Sequence, residues 1–288
     1  MGCPCEIILE AEQDNLSSVA DLAIVEAKRF EKKYSRYRED SVVSAINRAA
    51  GVESVNIDEE THLLLSYAET CFLESDGLFD ITSGVLRKVW HKEMVSIPDT
   101  EMLQHILQTV GWEHVDRTSS TIFLTKPEME IDFGGFGKEY AADAMASLIR
   151  QHGIAHGIVN LGGDIVVIGP HLSGAAWQIG ITHPTVAGDA IATIAIKSGA
   201  ITTSGSYERY FEVSGERYSH LLNPKTGRPV DGLLSVSVTA KHCLVAGSLA
   251  TIAMLNDSKN GLAWLEEAGQ PFLAFNKHLA PFGSLRDL

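Results

Sequence analysis

The sequence predicts an α+β fold: a mixed, largely antiparallel sheet with flanking helices. Two observations predict it. Strand-like runs follow one another directly at 156–160, 164–168 and 177–181 instead of alternating with helices, and the helical patterns are segregated from them, so the regular βαβ order of a doubly wound sheet is missing. No repeat and no linker rich in Pro, Gly or Ser interrupts the chain.

Residues 5–10 read as a first strand, and apolar positions at Val19, Leu22, Ala23, Val25, Ala27 and Phe30 predict a helix over 16–34. Asp40-Ser41 precedes a short helix through Ala45 and Ile46, and a helical pattern over 60–75 stops at the turn signal Asp76-Gly77. Residues 101–110 suggest a helix ahead of Gly111-Trp112, and 122–124 and 130–131 read as short strands. Phe136 to Gln151 is an amphipathic helix, with Phe136, Tyr140, Ala144, Leu148 and Ile149 close to one face and Gly153 as its stop. Further strands are expected at 190–196 and 235–239, and an apolar helix at 243–256.

With 288 residues, 45% of them hydrophobic, the chain can bury a sizeable core as one domain over 1–288 or as two intimate lobes. The formal charge of −14 argues against general nucleic-acid binding, which needs a basic footprint. It also means that a phosphorylated ligand must be held by local donors, a lysine or a bound cation against the overall field. No run reaches the 18 apolar residues or so that a transmembrane helix requires. The first ten residues do not read as a signal peptide, so the expectation is a cytoplasmic protein, or a periplasmic one whose export signal has been removed. The four cysteines do not form a disulfide pattern, Cys3-Pro-Cys5 lacks the CxxC spacing, and ordinary thiols are expected.

The densest local signal is Ile131-Asp-Phe-Gly-Gly-Phe-Gly-Lys-Glu-Tyr140. A strand end meets three glycines and then a helix, whose N-terminal N–H groups attract an anion that the glycines allow to come close. Lys138 adds a full charge on the first turn, and Asp132 is placed to accept from a ribose or flavin donor or to orient a cation. The spacing is neither a dinucleotide fingerprint nor a P-loop, and a tight strand-to-helix turn explains it equally well. Leu161-Gly-Gly-Asp164 repeats the theme, and Thr202-Thr-Ser-Gly-Ser206 reads as a small-residue loop rich in hydroxyls.

Taken in order, these segments resemble the FAD:protein FMN transferase (ApbE) family. The blocks are Ser35-Arg-Tyr-Arg38 with Asp40-Ser41 and Asn47; Asp76-Gly-Leu-Phe-Asp80 with Thr82 and Gly84; Asp132 to Lys138; Asn160-Leu-Gly-Gly-Asp164; Thr203-Ser-Gly205 with Tyr207; and Tyr218-Ser-His-Leu-Leu-Asn-Pro-Lys-Thr-Gly227. The resemblance runs from Met1-Gly2 to about Leu255. It implies an enzyme that cuts the FAD pyrophosphate, attaches FMN to a threonine or serine hydroxyl of an acceptor protein and releases AMP, with Mg2+ assisting. By the same resemblance Tyr37, Leu78, Phe79 and Asp80 would line the flavin or adenine pocket. Asp132 would hydrogen-bond the cofactor, Lys138 would contact its phosphates, and Leu221 would pack on it. Gly135 through its carbonyl and Thr251 through its hydroxyl would face the metal. His220 would act as general base or orient the attacking hydroxyl.

One position departs from the family pattern. The usual Ala-Asp-x-x-Ala-Thr reads here Ala246-Gly247-Ser248-Leu249-Ala250-Thr251, so the aspartate that would face the metal is Gly247. Magnesium favours carboxylate oxygens, so this loss calls for binding through the FAD phosphates or for another carboxylate such as Asp164. Otherwise the chain is a flavin-binding accessory protein that has lost transfer. Water in place of the acceptor hydroxyl would make it an FAD pyrophosphatase, the third reading.

Overall fold

The computed structural model describes residues 2–12, 15–186, 188–207 and 209–286; Met1, where the resemblance begins, lies outside them. The chain opens with β1 (Cys5–Glu10), α1 (Leu16–Tyr34), α2 (Val42–Arg48), β2 (Val55–Asn56) and α3 (Glu59–Glu74). A 3-10 helix (Ile81–Lys88), α4 (Thr100–Leu107), β3 (Val115–Arg117), β4 (Thr121–Leu124) and α5 (Gly137–Gln151) follow. Next come β5 (His156–Leu161), β6 (Asp164–Gly169), β7 (Trp177–Thr182), β8 (Ala190–Ile196) and β9 (Gly199–Gly205). The chain continues through β10 (Tyr210–Val213), β11 (Glu216–Ser219), β12 (Ser235–Ala240), α6 (Cys243–Leu255), α7 (Ser258–Ala268), β13 (Phe272–Phe275) and β14 (Pro281–Phe282). Two compact units result. The first is drawn from Met1–Glu31, Gly134–Glu208 and Gly232–Leu288, the second from Lys32–Phe133 and Arg209–Asp231.

The first unit is built on a seven-stranded sheet in the order β1-β5-β6-β9-β12-β13-β14. The largely antiparallel sheet expected from the sequence is antiparallel at every one of these junctions. Strand alternation sorts its side chains into two layers. Ile158, Ile165, Val167 and Ile201 share one buried cluster with Trp177, Ile179, Ile181, Ile194 and Ile196 of the β7–β8 hairpin. Asp164, Val166, Ala200, Thr202 and Ser204 have the opposite parity and fall on the face against which α5 and α6 pack. The loop expected at 202–206 is therefore corrected: residues up to Gly205 belong to β9, an interior strand. Two of its three hydroxyls find partners there, while buried Thr202 Oγ1 has none among the described residues. Thr203 Oγ1 lies 2.8 Å from Ser237 Oγ across the β9–β12 pair, and Ser204 Oγ lies 3.2 Å from Thr251 Oγ1 on α6.

The second unit holds the sheet β2-β4-β3 and the β10–β11 hairpin, with α2, α3, α4 and the 3-10 helix. The polar residues that punctuate the sequence cap its helices. Ser41, Asp58 and Asp99 accept from the N–H groups of Ser44, Thr61 and Met102. α4 stops at Leu107, short of the expected end at 110. The strand expected at 130–131 is absent. Ile131, wholly buried, has both backbone groups occupied by one side chain: its N–H donates to Asn47 Oδ1 (2.8 Å) and its carbonyl accepts from Asn47 Nδ2 (3.1 Å). Asn47 thus does locally what a neighbouring strand would do. Asn47→Ala strands a buried donor and a buried acceptor, and is expected to lower unfolding free energy by about 3 kcal/mol in a denaturant titration. A loss under about 1 kcal/mol would show that Ile131 finds other partners.

Among the described residues no helix is long and apolar enough to cross a membrane. All four cysteines are free thiols, with Cys71 and Cys243 buried.

Candidate active site

In the first unit the glycine run delivers the chain into α5, whose N-cap position, Phe136, contributes no side-chain cap. Lys138 on the first turn forms an ion pair with Asp164, the first residue of β6. Asp164 is buried and Lys138 partly exposed. Burial opposes the Lys138 charge, but the carboxylates of Glu139 and Asp164 more than offset it and raise its pKa. The expected phosphate contact is therefore a lysine already held in place by a carboxylate.

The next residue, Glu139, is 6% exposed, and its Oε2 has no hydrogen-bond partner among the described residues. Burial pushes its carboxyl up to about 8, with the Asp164 charge adding to the rise and Lys138 opposing it. Glu139 lies against Gly247 on α6. A Cβ placed on residue 247 would sit 2.6 Å from Glu139 Cγ and 2.9 Å from its Oε1. The two helices are pinned in this register by Asp143, whose carboxylate oxygens accept from the N–H groups of Cys243 and Leu244, both at 2.9 Å. Asp143 thereby caps α6, whose own N-cap residue, His242, makes no such bond. Thr251 stands one helical turn beyond Gly247, on the same side of α6. Gly135 lies in the exposed turn that precedes α5. No group of three or more His, Cys, Asp or Glu side chains gathers as a metal site among the described residues.

In the second unit Asp132 forms an ion pair with Arg36. Arg36 also donates to the Tyr37 hydroxyl at 2.9 Å, with its guanidinium carbon 4.9 Å from the Tyr37 ring centre. Tyr37 itself is 82% exposed. Gly84 makes room for this arrangement, since a Cβ there would lie 2.7 Å from the Cβ of Asp132. Asp80 is buried, and its Oδ1 accepts from both the N–H (2.8 Å) and the hydroxyl (2.7 Å) of Thr82. Thr82 Oγ1 in turn accepts from the Gly111 N–H at 2.8 Å. Burial still raises the Asp80 pKa against these bonds. The carboxyl stands at the wall of a cavity of about 420 Å³ that Phe72, Gly77, Val110, Pro224 and Lys225 also line. Leu78 is half-buried, while Phe79 is a core residue whose N–H donates to Ser75 Oγ.

His220 follows β11 directly. The register of the hairpin pairs Tyr210 with Ser219, which carries His220 back to Arg209. Its Nδ1 lies 2.8 Å from the Arg209 carbonyl. A carbonyl only accepts, so Nδ1 carries the proton and the lone pair of the neutral ring is on Nε2. The segment beyond is held by several hydrogen bonds. Leu221 donates to Ser219 Oγ at 3.1 Å and accepts from Val230 at 2.9 Å. Asn223 Oδ1 accepts from Lys225 and Thr226, and buried Trp90 donates to the Gly227 carbonyl at 2.7 Å.

Within the second unit, then, Asp132 and Tyr37 are gathered around one arginine that was not singled out in the sequence. In the first unit the unforeseen residue is Glu139. Its signal is the pairing of a first-turn glutamate with a glycine more than a hundred positions away, which no local pattern carries.

The chain belongs to the ApbE family, whose model matches residues 1–274. It is 31% identical over 273 residues to the FAD:protein FMN transferase of Klebsiella pneumoniae, covering 93% of this chain and 84% of that one. To the FAD:protein FMN transferase of Vibrio cholerae it is 32% identical over 250 residues, covering 84% and 75%. Among solved structures, the ApbE protein of Thermotoga maritima superposes with a TM-score of 0.91 at 32% identity over 98% of this chain and 94% of that one. The flavin transferase ApbE of Vibrio cholerae gives 0.85 at 26% identity over 97% and 92%.

Proposed function

We propose that this chain is an FAD:protein FMN transferase, moving FMN from FAD to a threonine or serine hydroxyl of an acceptor protein. The observation that carries the reading is similarity to proteins of that name along nearly the whole chain, at 31–32% identity. In the reaction the acceptor oxygen bonds to the FMN phosphorus, the pyrophosphate P–O bond to AMP breaks, and AMP leaves with the electron pair. The acceptor proton passes to His220 Nε2, the nitrogen that holds the lone pair. Lys138, anchored by Asp164, keeps donors for the phosphates, because an ammonium has three. Tyr37, Leu78, Phe79, Asp80, Asp132 and Leu221 serve the flavin and adenine ends, with Arg36 orienting Asp132 and Tyr37.

A magnesium ion, when bound, would neutralise charge on the pyrophosphate oxygens. The residues present fit such an ion. A buried carboxylate oxygen without a partner, the Thr251 hydroxyl and the Gly135 carbonyl are all hard oxygen donors. Magnesium at substrate phosphates commonly takes only one or two carboxylates, so a sparse protein set suits it. The second reading, an FAD-binding accessory protein without transfer, is favoured by one observation, the glycine at position 247.

The test is turnover of FAD by the purified chain with an acceptor-threonine peptide, with and without magnesium. AMP release and a peptide heavier by one FMN, both magnesium-dependent, are expected. FAD bound and recovered intact under every condition would favour the accessory protein instead.

A further inference from the structure

Resting on the metal-assisted reading above, we infer that Glu139 supplies the metal carboxylate that position 247 lacks. The ligand has moved from α6 to the facing helix α5, while its oxygens stay in the same small volume. The first support is steric. A Cβ at residue 247 would lie 2.6 Å from Glu139 Cγ and 2.9 Å from Oε1, so the Glu139 side chain fills the room that an aspartate at 247 would need. A side chain at 247 would displace that of Glu139 from where it stands. That makes Gly247 and Glu139 two halves of one exchange.

The second support is the unsatisfied oxygen. Glu139 is 6% exposed, and its Oε2 accepts no hydrogen bond among the described residues. A buried carboxyl oxygen without a partner is costly, and a bound cation would satisfy it. Glu139 also serves as a counter-charge to Lys138, but that leaves Oε2 without a hydrogen bond, since the Lys138 ammonium donates to Asp164. The third support is the setting. The Asp143 bonds to Cys243 and Leu244 fix α5 against the start of α6. Thr251, a hydroxyl one turn beyond Gly247, offers a further oxygen donor on the same side of α6. Glutamate is one methylene longer than aspartate, which suits a ligand reaching across from the neighbouring helix.

The exchange is tested by binding of Mn2+, a paramagnetic stand-in for Mg2+, titrated by electron spin resonance on the full chain with FAD present. Three proteins are compared: the unaltered chain, Glu139→Gln, and the swap Glu139→Gly/Gly247→Asp. Glu139→Gln is nearly isosteric and is expected to weaken Mn2+ binding by about tenfold or more, with the swap returning to within about threefold of the unaltered chain. Unchanged Mn2+ affinity in Glu139→Gln overturns the inference, as does failure of the unaltered chain to bind Mn2+. Should Glu139→Gln not fold, the swap decides alone: near-native Mn2+ affinity supports the exchange, and a folded swap that binds no Mn2+ overturns it. FMN transfer to the acceptor peptide is assayed separately. Transfer by the unaltered chain together with full Mn2+ affinity in Glu139→Gln removes Glu139 and leaves the transferase reading standing. No transfer, together with Mn2+ binding that falls in Glu139→Gln and recovers in the swap, does the reverse.

Discussion

His220→Ala is expected to slow FMN transfer by about 10²–10⁴-fold, the usual contribution of a positioned general base. The FAD dissociation constant should stay within about threefold, because the imidazole acts on the acceptor proton rather than on the bound dinucleotide. The structural basis is the Nδ1 tether to the Arg209 carbonyl at 2.8 Å, which fixes both the tautomer and the ring. The surrounding turn does not depend on the imidazole. The His220 N–H to Arg209 carbonyl bond, the Asn223 turn and the Trp90 bond to Gly227 all remain in the variant. Residual transfer would come from positioning and charge neutralisation. Single-turnover AMP release and flavin-fluorescence titration separate the two quantities. Equal losses in both would make His220 a binding residue and remove it from proton transfer.

Much of this architecture is legible in the sequence because local signals agree with the fold. The first strand and helix, the short helix after Ser41, the helix that stops before Asp76-Gly77 and the helix ending at Gln151 stand at the expected places, although of the face expected for the last only Phe136 and Ile149 are buried, and Leu22 and Val25 of the first helix are exposed. What was misread depends on partners distant in sequence. Residues 202–206 look like a loop because threonine, serine and glycine are polar or small, yet the Thr203 and Ser204 hydroxyls reach Ser237 and Thr251 and the strand up to Gly205 sits inside the sheet. Ile131 looks like a strand residue because it is apolar and β-branched, yet Asn47 takes both its backbone groups. The hairpin of β10 and β11, which carries His220, is polar throughout its turn and has no alternating pattern long enough to read. At the candidate site the residue types were visible and the pairings were not. Gly247 announces a missing carboxylate in the sequence, but only the approach of α5 to α6 shows that Glu139 occupies its space.

Lys138→Met is expected to carry two separable penalties, and its partner distinguishes them. The first is to stability. Asp164 is 4% exposed and pairs with Lys138, so removing the ammonium leaves a buried carboxylate without its cation. Breaking one side of such a pair costs about 3–5 kcal/mol, partly relieved where the orphaned group takes up a proton. The second penalty is to ligand binding. If Lys138 donates to a phosphate through one of its remaining hydrogens, its loss removes a charge-assisted bond of about 1.5–3 kcal/mol, or roughly ten- to a hundredfold in FAD affinity. The double variant Lys138→Met/Asp164→Leu removes the stranded carboxylate. It is expected to regain most of the stability, since a buried ion pair replaced by apolar groups of similar size is often neutral or better. It should not regain FAD affinity, because the phosphate donor is still gone. Denaturant melts and FAD titrations on the single and double variants decide the matter. Recovery of both properties together would mean that Lys138 serves only to neutralise Asp164, and the phosphates would then be held by other donors.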